Sequence, residues 1–173
     1  MNEIARFISL YNQQGLHTMA YLQTLQPADW QAVPLHSDTL FLGSRVNTIT
    51  IGTLARHIIS AERNWMQALL QEASDIVPPM PDAELARTPD GEPLIAAYRA
   101  AHQARLQDLA ALREADLDRQ LRFAGRRQTA MGLLWALYSH HAYHLGQIDL
   151  LIRQQGLLAP EYMEWPETER VIA

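Results

Sequence analysis

A chain of 173 residues with 48% apolar residues is long enough to bury a core unaided and too apolar for wholesale disorder. It contains no cysteine, which excludes disulfide scaffolds, thiolate metal sites and cysteine nucleophiles. A formal net charge of −5 argues against nucleic acid as a partner, because phosphate binding needs clustered cations.

The first residues lack a basic leader followed by an apolar run, so no secretory signal is expected. Ile4, Phe7, Ile8, Tyr11, Gly15, Met19 and Leu22 recur at three- and four-residue steps, the stripe of an amphipathic helix that Pro27 closes. An irregular stretch runs to Asn47, punctuated by Pro34 and Gly43. Thr50 is placed to cap a second helix, with Ile51, Leu54, Ile58, Ala61, Trp65 and Leu69 on its apolar stripe. A connection rich in proline follows (Pro78, Pro79, Pro81, Pro89). The third helix is expected to open at Asp90-Gly91-Glu92-Pro93, with Ile95, Tyr98, Leu106, Leu109 and Leu112 on its apolar side.

Arg119, Arg122, Arg126 and Arg127 then read as a solvated loop between helices rather than an anion site. The fourth helix begins near Thr129 and ends near Gln155, with Gly156 as a left-handed cap. Leu134, Tyr138, Leu145, Ile148 and Ile152 lie beside Leu133, Leu137 and Leu151, a face wide enough to need cover from two directions. No alternating strand pattern of useful length and no internal repeat is visible. The expectation is a single domain over residues 1–173, all-α, folded as a four-helix bundle whose two long connections allow parallel neighbours. The most apolar stretch, Ala130 to Tyr138, falls far short of the roughly 20 residues that span a bilayer. A soluble cytoplasmic protein with no membrane partner is expected.

Seven histidines carry the chemistry. His140 and His144 share one face of the most apolar helix, about 6 Å apart along its axis, a spacing that lets two imidazoles ligate one cation. On the Leu133, Leu137 and Leu151 stripe they should point inward, where imidazole nitrogens need partners. His141 and His144 are also suitably spaced, and spacing does not choose between His140 and His141. His57, at the edge of the second helix's stripe, reaches the pair if that helix packs on the fourth. His102, beside the third helix's stripe, is a further ligand candidate that reads first as a satisfied core histidine, and His17 and His36 read as peripheral. Asn64, on nearly the same face as His57, is a candidate to support the ligands. Trp65, Trp135 and Tyr138 read as core. No glycine-rich phosphate loop or G-x-S-x-G elbow competes.

The segment His140-His141-Ala142-Tyr143-His144-Leu145-Gly146-Gln147-Ile148 resembles the HxxxHxGQI signature of the DinB/YfiT-like superfamily of metal-dependent enzymes. Thr50 to Ile58, followed by Ala61-Glu62-Arg63 and Trp65, is similar to that family's second-helix histidine segment, and Tyr11-Asn12 to its first-helix start. The resemblance implies a four-helix bundle of unusual connectivity, usually dimeric, that binds nickel or zinc through His57, His140 and His144. It makes His141 the intervening non-ligand. It further implies a metal-dependent enzyme acting on a small molecule, either a transferase that uses a low-molecular-weight thiol or a hydrolase. The alternative is a non-enzymatic stress-response protein whose metal stabilises a dimeric bundle. Gln14 and Leu16 depart from the tryptophan and second asparagine that many relatives carry after the first-helix start.

Overall fold

The computed structural model describes residues 2–35, 48–72, 74–77 and 82–161. Four long helices dominate: α1 (Glu3–Gln23), α2 (Ile51–Leu70), α4 (Glu92–Ala110) and α6 (Ala130–Gln154), with short helices α3 (Ala83–Arg87) and α5 (Glu114–Leu117) between them. Their ends follow local chemistry. The Asn2 side chain accepts from the Ala5 amide at the start of α1, and Thr50 and Thr53 form a reciprocal capping box at α2. Thr129 accepts from the Gly132 amide at α6. At the far end of α6, Gly156 takes φ +74° while the Leu157 amide returns to the Ile152 carbonyl and the Gly156 amide to that of Arg153. That is the left-handed termination only glycine adopts freely.

The long helices form a ring in which α1 and α2 each touch both α4 and α6. Two apolar clusters give their directions. One joins Met19 and Leu22 to Ile51, Leu54 and Ile58, to Leu94, Ile95 and Tyr98, and to Leu145, Ile148 and Ile152. The other joins Ile4, Phe7 and Tyr11 to Trp65, Met66 and Leu69, to Leu109, and to Met131, Leu134 and Leu137. The end of α1 therefore meets the starts of α2 and α4 and the end of α6. Thus α1 runs parallel to its neighbour α6, α2 parallel to its neighbour α4, and the two pairs run oppositely. The parallel return from α2 to α4 needs a long connection, which the stretch after α2 supplies.

All-α is approximate, because a small sheet lies beside the bundle. β2 (Gln120–Phe123) pairs antiparallel with β3 (Arg126–Thr129), and β1 (Asp75–Ile76) adds in parallel to β2. The Arg119–Arg127 stretch is therefore largely a hairpin, not an irregular loop. Ala124 and Gly125 both have positive φ, +49° and +79°, as a two-residue hairpin turn twisted to match its strands requires. Arg119 donates to the Leu69 carbonyl at 2.6 Å, capping the end of α2, while Arg122, Arg126 and Arg127 are exposed. Among the described residues of the first irregular stretch, a 3-10 turn, Asp29–Gln31, drives Trp30 into the core.

Arg56 ties the crossover between α2 and α4 to α2. Its guanidinium donates to the Leu85 and Thr88 carbonyls at 2.9 and 2.6 Å and meets Asp90 at 2.6 Å. Arg63 adds an ion pair to Asp82, the residue that caps α3.

Candidate metal centre

α2 and α6 pack against each other in opposite directions, and His57, His140 and His144 meet on the seam. Ring centroids are 4.9 Å apart for His57 and His140, 4.7 Å for His57 and His144, and 4.5 Å for His140 and His144. One nitrogen from each ring falls within 4.8 Å of the others, a group that can hold a metal ion. Among the described residues no other group of His, Cys, Asp and Glu does so.

The donor set fits a borderline divalent cation. His57 Nε2 and His140 Nε2 are 3.0 Å apart, close to the roughly 3.3 Å edge of a tetrahedron with metal–nitrogen bonds of about 2.0–2.1 Å. His144 Nδ1 lies 2.7 Å from Gln147 Oε1, a carbonyl oxygen that can only accept. That bond assigns the proton to Nδ1 and leaves the Nε2 lone pair for a ligand. Burial pushes the His140 pKa down to about 3, reinforced by repulsion from His144 and His57. Burial also lowers His144, against the Gln147 bond that favours its charged form. Both rings are therefore neutral bases at neutral pH, the state a metal requires.

Aromatic side chains wall one side. Trp65 lies 4.9 Å from the His140 ring, and Phe123 of β2 packs on Trp65 at 4.5 Å. Trp65 thus belongs to the site as much as to the core, and the hairpin brings a residue towards it. Trp135 and Tyr138 pack on Phe7, as expected of core residues.

The other predicted residues separate cleanly. His140 is half-buried on the seam rather than inward; the histidine that enters the core is His141, 1% exposed. His141 Nδ1 lies 2.5 Å from Glu62 Oε1, and its Nε2 lies 2.6 Å from the Thr18 hydroxyl. His102 belongs to the same layer, with Nδ1 3.8 Å from Glu62 Oε2 and its ring 4.6 Å from that of Tyr11. Tyr11 donates to Glu62 at 2.8 Å and Tyr98 at 3.4 Å. Burial alone would raise the Glu62 pKa, but His141 and His102 outweigh it and hold it at about 2, so the carboxylate stays ionised. Asn64 donates to the Ser60 carbonyl and hydroxyl at 2.7 and 3.1 Å, bonds that stay within its own helix. His17 packs on Tyr21, and His36 lies outside the described residues.

Sequence reasoning missed two residues here. Gln147 follows His144 by three positions, the spacing of neighbours on a helix face. Glu62 falls in register with Ala55, Ile58, Ile59, Met66 and Leu69, all buried, and that pattern marked it as an inward acid.

The fold and this cluster define a class: a helical bundle with a three-histidine, metal-capable centre on the seam of two antiparallel helices. The chain belongs to the DinB superfamily, which it matches over residues 11–148. Among solved structures it is similar to a DinB-like protein from Bacillus subtilis, at 17% identity and a TM-score of 0.68 over 91% of this chain and 96% of that one. A DinB-like protein from Bacillus cereus ATCC 10987 is similar at 20% identity and a TM-score of 0.70, over 90% and 94%. No curated protein matches the chain.

Proposed function

We propose that His57, His140 and His144 bind one divalent cation, nickel or zinc, and that the chain is a metal-dependent enzyme. The reading is carried by three imidazoles within 4.8 Å of one another with no acid among them. A divalent cation there keeps its full charge, and supplies the Lewis acidity that holds a small thiol as thiolate or lowers the pKa of water to about 7. Three protein ligands leave a position open for that thiol or water. The chain's own residues prepare the site. Gln147 fixes the His144 tautomer, burial keeps the His140 and His144 rings deprotonated, and Trp65 with Phe123 excludes water from one side. A small-molecule electrophile seated against that aromatic wall fits a thiol-dependent S-transferase, and a hydrolase uses the same open position for water.

Elemental analysis of the purified chain tests the cation: about one metal per chain is expected, lost in His140→Ala. Unchanged content in the variant would sink the assignment. Turnover of small thiols with halogenated or epoxide electrophiles then tests catalysis. The position of the triad across two long helices favours one second reading, a cation that only staples the bundle. No turnover, together with a large fall in Tm on chelation, would select it. A cytoplasmic homodimer that acts without nucleic acid or membrane completes the proposal. Sedimentation that shows only monomer at micromolar concentration would remove the dimer.

A further inference from the structure

His140 and His141 are adjacent on α6, about 100° apart around its axis, and His57 and Glu62 are about 140° apart on α2. The two helices are consequently joined on two faces, at points on α2 about 7.5 Å apart along its axis. Outside, His57 faces His140 and His144; inside, Glu62 meets His141 at 2.5 Å. The inner link is held from every side. Tyr11 and Thr18 of α1 engage Glu62 and His141 at 2.8 and 2.6 Å, and Tyr98 of α4 reaches Glu62 at 3.4 Å. A turn of α6 that broke this link would swing His140 and His144 away from His57.

We infer that Glu62 is a positioning residue for the cation site: through His141 it sets the rotation and register of α6 against α2 that brings the three histidines together. The inference rests on the metal-binding reading proposed above. The Glu62 oxygens engage His141, Tyr11 and Tyr98, and the carboxylate is kept ionised inside the core, which is costly for a residue whose task is packing alone.

Cobalt(II) titration of the full-length chain, followed by its visible absorption bands, tests this without any assay of activity. The unaltered chain should bind cobalt, and His140→Ala should not. Glu62→Gln, nearly isosteric, should bind about ten-fold more weakly and with shifted band positions, while its circular dichroism stays that of the native helix bundle. Glu62→Leu should weaken binding further. The inference is overturned if Glu62→Gln lowers Tm but leaves cobalt affinity within two-fold and the bands unmoved, for Glu62 then serves folding alone. That Glu62→Gln result decides the matter even if Glu62→Leu does not fold. Failure of the unaltered chain to bind cobalt, or equal binding by His140→Ala, overturns the metal reading itself and this inference with it.

Discussion

Two clusters of imidazoles bridge α2 and α6 back to back, and they are built on opposite terms. In the core, His141 and His102 surround an ionised Glu62 whose oxygens also receive Tyr11 and Tyr98, so a carboxylate matches the imidazoles in charge. On the seam, His57, His140 and His144 bring three bases together with no acid among them. A matched cluster carries its own counter-charge. The unmatched one gathers three donor nitrogens with no acid, a group that can hold a cation. Histidine count and proximity alone would not separate the two; the presence of a carboxylate does.

Substitutions should expose that contrast. The largest expected effect is at the matched cluster. His141→Ala strips a partner from a buried carboxylate and should cost on the order of 3–5 kcal/mol in urea unfolding, whereas His140→Ala in metal-free protein should cost about 1 kcal/mol. Equal losses would erase the distinction. Next comes Gly15→Ala. A methyl there would overlap the His102 ring, so the layer must shift, lowering stability by about 1–3 kcal/mol. A Tm within a degree of the parent would mean that His102 has room to move.

On the seam, Gln147→Ala frees His144 to take either tautomer and should weaken cation affinity about ten-fold while barely changing metal-free stability. Calorimetric titration with zinc reads this, and unchanged affinity would remove Gln147 from the site.

The pH dependence of stability tests the same contrast. His140 falls from an ordinary 6.5 to about 3 on folding, so the unfolded chain binds more protons between those values. Its contribution is complete above pH 6.5 and is lost as pH falls towards 3. Glu62 moves from 4.5 to about 2, so its contribution is complete above pH 4.5 and is lost as pH falls towards 2. Metal-free stability should therefore decline in two stages on acidification. His140→Ala should shrink the upper stage, which His144 shares, and Glu62→Gln should flatten the lower. A decline confined to below pH 4.5 in the parent would contradict the depressed His140.

The helix boundaries were legible because their causes are local. Thr50, Gly91 with Pro93, Thr129 and Gly156 mark ends within a few residues of themselves. The hairpin was not, since Leu121 and Phe123 offer only two alternating apolar positions, and the strand that adds to it, Asp75–Ile76, is far away in sequence. Asn64 sits on the expected face, but its amide is drawn to Ser60 one turn back.

The sequence by itself determined four amphipathic helices, their caps and a fourth helix carrying histidines at three- and four-residue steps. Those steps share one helix face, so periodicity could not say whether His140 or His141 meets His57. Family resemblance favoured His140. The physical decision belongs to the tertiary structure, because the rotation of α6 against α2 is fixed by Glu62, Thr18 and Tyr98, side chains on three other helices. That rotation turns His141 inward to a carboxylate and leaves His140 on the seam, with His57 and His144.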